Sequence, residues 1–234
     1  MTETITLGDI RIRLQRKAIK NSHLSVHPPA GTVTLTVPVS MRTDVARAYA
    51  ISKLGWIKKQ RRLLLEQPRE GRREYSSRES HFIWGHRRLL RVVEADVKPS
   101  VVLDHKYLTL TVRPDADREK RVEVFRRWER EQLHAVIPAM ISKWEAKLGV
   151  KVRGYFLQRM KTKWGSCNPK AQTLRINTEL VKKPRDLLEY VIVHEMAHIL
   201  VPNHKGPFVA IMNKHYPTWE NARAELNALP LPRV

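Results

Sequence analysis

Five residues place the tightest limit on what this chain can become: His194-Glu195-Met196-Ala197-His198, set in the largely apolar segment that starts at Leu187. Two histidines four apart on a helix differ by about 40° in azimuth and about 6 Å in rise, so both imidazoles reach one metal ion. Neutral imidazole suits Zn²⁺, and a catalytic zinc keeps three protein ligands with the fourth position open. Glu195 sits one residue along, where its carboxylate serves an activated water as general base. In a chain with 10 histidines, the accidental expectation of this pattern is about 0.03. Pro184 suits the first turn of the helix, and Leu187, Val191, His194 and His198 then fall on one stripe. Glu195 lands on the Leu188 and Ile192 side, where an ionised carboxylate is costly to bury without a partner. A metal relieves that cost.

The third ligand comes from beyond the helix. Pro202 stops the helix, and His204 follows six residues after His198, a gap long enough for the chain to turn back. Requiring that histidine lowers the accidental expectation to about 0.001. His215, Glu220 and Glu225 are rivals that need another helix to approach, so His204 is preferred.

The rest of the chain supplies a scaffold. From Ile5 to Val39 apolar and polar residues alternate around His27-Pro28-Pro29-Ala30-Gly31, which reads as strands. Thr43 to Glu66 switches to a helical period, with Thr43 or Asp44 as cap and Pro68 as stop. Arg69 to Ser80 reads as a polar linker. Phe82 to Trp84, Leu89 to Val93 and Leu108 to Val112 read as further strands. A long helix opens at Pro114 to Asp117 and closes at Gly149, with Pro138 expected to kink or divide it and Trp128 and Trp144 at core spacing. Two strands (Val150 to Lys161 and Thr173 to Thr178) and three shorter helices from Pro184, Pro207 and Pro217 complete the pattern. No internal repeat emerges. The expectation is an α+β protein, with a strand-rich region over 1–114 and a helix-rich region with a small sheet over 115–234.

Composition then narrows the partners. Hydrophobic residues are 42% and charged residues 29%, the profile of a folded chain. No apolar run nears the ~20 residues of a membrane span, and the N-terminus lacks the pattern of a secretory signal. With Cys167 as the single cysteine, an internal disulfide is excluded and a reducing cytoplasm expected. Lys and Arg number 44 against 23 Asp and Glu, a net +21. The charge is spread evenly, +11 over 1–115 and +10 over 116–234, with short basic runs at Lys58 to Arg62 and Arg159 to Lys163. Gathered on one face, it would give weak, salt-sensitive binding to nucleic acid or nucleotide phosphates.

The segments Lys163-Trp164-Gly165-Ser166-Cys167, Arg175 to Leu180, Pro184, Tyr190 to His198 and Asn203-His204 together resemble the YgjP-like zincin metallopeptidase family, related more distantly to SprT-like and WLM proteases. The likeness is specific from Arg159 to Phe208 and looser elsewhere, including Trp56-Ile57-Lys58 and Trp84-Gly85. It implies a zincin-like catalytic domain in which His194, His198 and His204 bind zinc and Glu195 is the catalytic acid/base. Val201 stands where the metzincin pattern has glycine, so the chain is not placed among the metzincins. The resemblance also suggests a strand and turn at Trp164 to Cys167, whose exposed edge would take an extended peptide. Cys167 itself reads as a small buried hydrophobe. Candidate oxyanion donors are His215, Tyr190 and Tyr216. The leading expectation is a zinc-dependent peptidase acting on a peptide or protein. A zinc hydrolase of nucleotide phosphoanhydrides is the alternative, and a non-catalytic nucleic-acid-binding protein with a metal site is weaker, because a structural zinc needs a fourth ligand.

Overall fold

The computed structural model describes residues 2–27, 30–66, 73–160 and 162–228. These form two compact units, one within Met1–Glu70 and the other within Gly71–Leu229.

In the first unit, β1 (Thr2–Leu7), β2 (Ile10–Lys17), β3 (His23–His27) and β4 (Thr32–Pro38) make one sheet in the order β1-β2-β4-β3. Period-two alternation turns Ile10, Ile12 and Leu14 of β2 and Val33, Leu35 and Val37 of β4 into the core. The expected helix after it is two, α1 (Thr43–Ser52) and α2 (Leu54–Glu66). They part at Lys53, whose N–H closes a tight turn on Ala50 O just before Gly55. The cap differs too: Arg42 precedes the helix, and the Thr43 hydroxyl donates to Glu3. Pro28, Pro29 and Pro68 lie outside the described residues.

The second unit opens with β5 (Ser80–Ile83), β6 (His86–Glu94), β7 (Ser100–Leu103) and β8 (Tyr107–Val112), ordered β5-β6-β8-β7. This is the first sheet's order again, with the same sequence of antiparallel, parallel and antiparallel pairings. In both, a near-identical strand takes the parallel partner's place: Val33-Thr34-Leu35-Thr36-Val37 and Leu108-Thr109-Leu110-Thr111-Val112. The repeat that the sequence alone does not announce is therefore architectural. Its other strands share their order and pairing and not their residues.

Helix α3 (Arg118–Leu148) starts at Asp117, whose side chain accepts from Lys120 N–H at 2.8 Å, and ends on Gly149 in the left-handed region. Pro138 does not divide it. Leu133, Ile137, Ile141 and Trp144 pack into a single core on both sides of the proline, and tertiary burial outweighs one lost hydrogen bond. That same core contains Leu90, Leu108 and Leu110, so the boundary expected at 114, between a strand-rich and a helix-rich half, falls inside this unit. The described part of the expected linker is also structured. Tyr75 is buried with its ring 5.2 Å from that of Phe125, and Glu79 accepts from the backbone N–H groups of Glu74, Tyr75 and Ser76.

The remaining elements are β9 (Gly154–Gln158), β10 (Gly165–Asn168), β11 (Thr173–Asn177), a 3-10 turn (Thr178–Lys182), α4 (Arg185–Leu200), α5 (Gly206–His215) and α6 (Trp219–Ala228). The small sheet has the order β10-β11-β9. The Trp84-Gly85 hairpin turn braces the start of α4. Its N–H groups donate to Val181 O (2.8 Å) and Lys182 O (3.3 Å), and a Cβ on Gly85 would meet Pro184 Cγ at 2.8 Å. Gly85, with φ near +80°, is the residue that this contact allows.

A buried carboxyl gives the unit a pH signature. Glu129 on α3 is fully enclosed, one of its oxygens has no hydrogen-bond partner among the described residues, and burial, aided by Glu179, pushes it up to about 7. With the folded value raised, the group's stabilisation is complete below the unfolded value near 4.5 and is lost as pH rises through about 7. Glu129→Gln is expected to raise the melting temperature at pH 8 by roughly 5–10 °C and to change it little at pH 4.5. Thermal unfolding of both proteins at the two pH values checks this; an equal shift at both would refute it.

Candidate metal centre

Helix α4 is buried on nearly all sides. Leu187, Leu188, Tyr190, Val191, Ile192, Val193, Met196 and Ala197 are all in the core, so the expected stripe is in fact a helix inside the unit. Val201 terminates it and Pro202 prevents its continuation. Asn203 then accepts from Lys205 N–H at 3.1 Å, a side-chain turn that carries His204 back over the helix.

The result brings His194, His198 and His204 together. His204 Nε2 lies 2.9 Å from His194 Nε2 and 3.2 Å from His198 Nε2. Nitrogen ligands at ~2.0–2.1 Å around a tetrahedral ion are about 3.3 Å apart, so the three atoms already have the spacing that such an ion asks for. His198 Nδ1 is 3.1 Å from Val201 O, so Nδ1 donates to that carbonyl and the bond orients the ring with Nε2 towards the other two histidines. Burial, with the neighbouring charges of His198, His204 and Arg223, pushes His194 down to about 3. His204 is also lowered, by burial and by His198 and Arg223. Neutral imidazoles with converging lone pairs are what a metal needs. Among the described residues no fourth histidine, cysteine or carboxylate joins this cluster, and the rivals His215, Glu220 and Glu225 are not in it.

Phe208, near the start of α5, is the residue that sequence reasoning missed. Its ring centroid lies 5.0, 4.8 and 4.8 Å from those of His194, His198 and His204, and it stacks on His198. It is buried against all three imidazoles at once, and its position four residues after His204 was the available signal.

Glu195 is 7% exposed and packs on the backbone of β10. A Cβ on Gly165 would come within 2.7 Å of both Glu195 Cγ and Oε1, so the glycine makes room for the carboxylate. Burial raises Glu195 to about 7, against the lowering effect of Lys163. A carboxyl near neutrality both takes and returns a proton. Cys167, half-buried, is pushed up to about 11 by burial and by Glu195, which suits an inert thiol.

A cavity of about 480 Å³ opens beside these groups, lined by His194, Glu195 and His204 together with Tyr190, Lys163 and Arg223. Of the three candidate oxyanion donors, Tyr190 lines it. Tyr216 instead donates to Asp186 O at 3.1 Å. In the basic run, Arg159 is paired with Glu179 (2.9 Å), Lys161 lies outside the described residues and Lys163 reaches the cavity. A larger groove of about 790 Å³ along α3 shares no residue with the site.

The model of the YgjP-like metallopeptidase domain matches residues 22–229. The chain belongs to the YgjP-like metallopeptidase family. Among solved structures it is similar to two metallopeptidase zymogens. Pyrococcus abyssi abylysin shares 14% identity over 39% of this chain and 91% of that one, with a TM-score of 0.37. Methanocaldococcus jannaschii jannalysin shares 23% identity over 38% and 92%, with a TM-score of 0.35. No curated protein matches the chain. No helix among the described residues is long and apolar enough to cross a membrane.

Proposed function

We propose that this YgjP-like protein is a zinc-dependent peptidase in which His194, His198 and His204 hold the ion and Glu195 is the general acid/base. The observation that carries this reading is the convergence of three imidazole Nε2 atoms beside one buried carboxyl. A zinc ion bound there supplies Lewis acidity, polarising the scissile carbonyl and making a water acidic enough to give up its proton near neutrality. Glu195 accepts that proton and passes it to the leaving amine nitrogen. Tyr190 is the donor from the earlier candidates that lines the cavity for the developing oxyanion.

Among the described residues β10 has a strand on one side only, and this open edge supports a peptide as substrate. Asn177 N–H donates to Trp164 O at 2.9 Å, and hydrogen-bonded pairs alternate along an antiparallel ladder. Ser166 and Asn168 therefore share the side facing β11, while the backbone groups of Gly165 and Cys167 face the open edge next to Glu195. An extended chain pairing there passes the catalytic carboxyl. Lys163 and Arg223 favour an anionic group in the cavity, which keeps phosphoanhydride hydrolysis as a second reading. The single cysteine fits a cytoplasmic place of work.

Zinc-loaded protein is expected to cleave casein, to stop when a chelator removes the metal, and to recover at about one equivalent of zinc per chain. Zinc-loaded protein that leaves casein intact and hydrolyses nucleoside triphosphates would overturn the peptidase reading.

A further inference from the structure

Two cations line the cavity without a part in the hydrolytic steps. Lys163 precedes β10 and Arg223 lies in the middle of α6, and the side chain of neither makes a hydrogen bond or ion pair with a described residue. Asn227 follows Arg223 by four residues, on the same face of α6, and also lines the cavity. The one carboxylate among the described lining residues is Glu195 itself. Much of the remaining wall is apolar, including Trp164, Val209, Trp219 and Leu226. Such a cavity accepts an apolar side chain and offers a planar guanidinium fork to an anion beside it.

We propose that Arg223, Asn227 and Lys163 form a carboxylate-binding subsite that selects peptides carrying an acidic group next to an apolar residue. The proposal rests on the peptidase reading for its substrate class. The open edge of β10 favours a peptide over a nucleotide, because it offers backbone donors and acceptors to an extended chain. The recognised carboxylate is either an acidic side chain or the free C-terminus of a short peptide. Charge-assisted hydrogen bonding to one such group corresponds to about 10-fold discrimination or more.

The test uses quenched fluorogenic peptides that differ by Glu against Gln beside a Phe, each with a free or an amidated C-terminus, on the zinc-loaded full chain. The wild-type kcat/KM ratio of acidic to neutral peptide is expected to be about 10, to fall towards 1 in Arg223→Gln, and to invert for a Lys-containing peptide in Arg223→Glu. The same four peptides are titrated against Glu195→Gln, with tryptophan fluorescence, to which Trp164 and Trp219 contribute, reporting binding without turnover. Tighter binding of the acidic peptides, abolished in the Glu195→Gln, Arg223→Gln double variant, supports the subsite even if no peptide is cleaved. The Glu/Gln and free/amidated arms show which carboxylate is read. Equal ratios in wild type and Arg223→Gln overturn the subsite and leave the peptidase reading standing. Failure to bind any peptide, with nucleoside triphosphates bound instead, overturns both.

Discussion

Glu195→Gln is expected to keep its zinc and to lose about 10²- to 10⁴-fold in kcat on casein-derived peptides. The change is isosteric and removes only the capacity to take up and return a proton. Glu195 is enclosed by α4 and the backbone of β10, and the three converging nitrogen atoms belong to other residues. On the proposed reading, zinc binding and proton transfer are thus separable in this site. Gly165→Ala should act on the same step by a different route: the added methyl occupies space within 2.7 Å of Glu195 Oε1, so the carboxylate must move while the histidines stay. Zinc content and kcat measured on the same preparations check both variants. Parallel loss of metal and activity in Glu195→Gln would make the carboxyl a structural partner of the site.

The histidine variants are expected to do the reverse. His194→Ala, His198→Ala and His204→Ala each remove one of three nitrogen donors and should weaken zinc binding by more than about 100-fold, the upper loss seen for groups that merely support a ligand. His215→Ala and Glu220→Ala should stay within a few-fold of wild type, since neither residue joins the cluster. Competition against a chelating dye measures all five, and thermal unfolding of the metal-free proteins separates lost ligation from lost fold. Large losses from Glu220→Ala with none from His204→Ala would shift the site to a two-histidine, one-carboxylate type.

What the sequence disclosed depended on whether the information was local. The pair His194 and His198 is readable because four residues on a helix fix a direction, and His204 because Pro202 forces a turn. The alternation of β2 and β4 announces a sheet with one buried face, and Asp117 and Gly149 mark the ends of α3. β10 shows no alternation in Gly165-Ser166-Cys167-Asn168. It is a strand because β11 pairs with it, and its glycine matters because Glu195 lies against it. Arg223 carries no pattern of its own, Phe208 shows only its spacing from His204 and Lys163 only its place in a basic run, and their places in the site follow from how α5, α6 and β10 gather around α4. The misplaced boundary has the same origin. Strands give way to a long helix near Pro114, but the core from Leu90 to Phe125 runs straight through that change.

The most direct test of the account is anomalous diffraction at the zinc edge from crystals of the zinc-loaded protein. A single peak is expected ~2.0–2.1 Å from the Nε2 atoms of His194, His198 and His204, with no fourth protein ligand and with Glu195 outside the coordination shell. A peak held by Glu220, Glu225 or Cys167, or a zinc-loaded crystal with no peak between the three histidines, would contradict it.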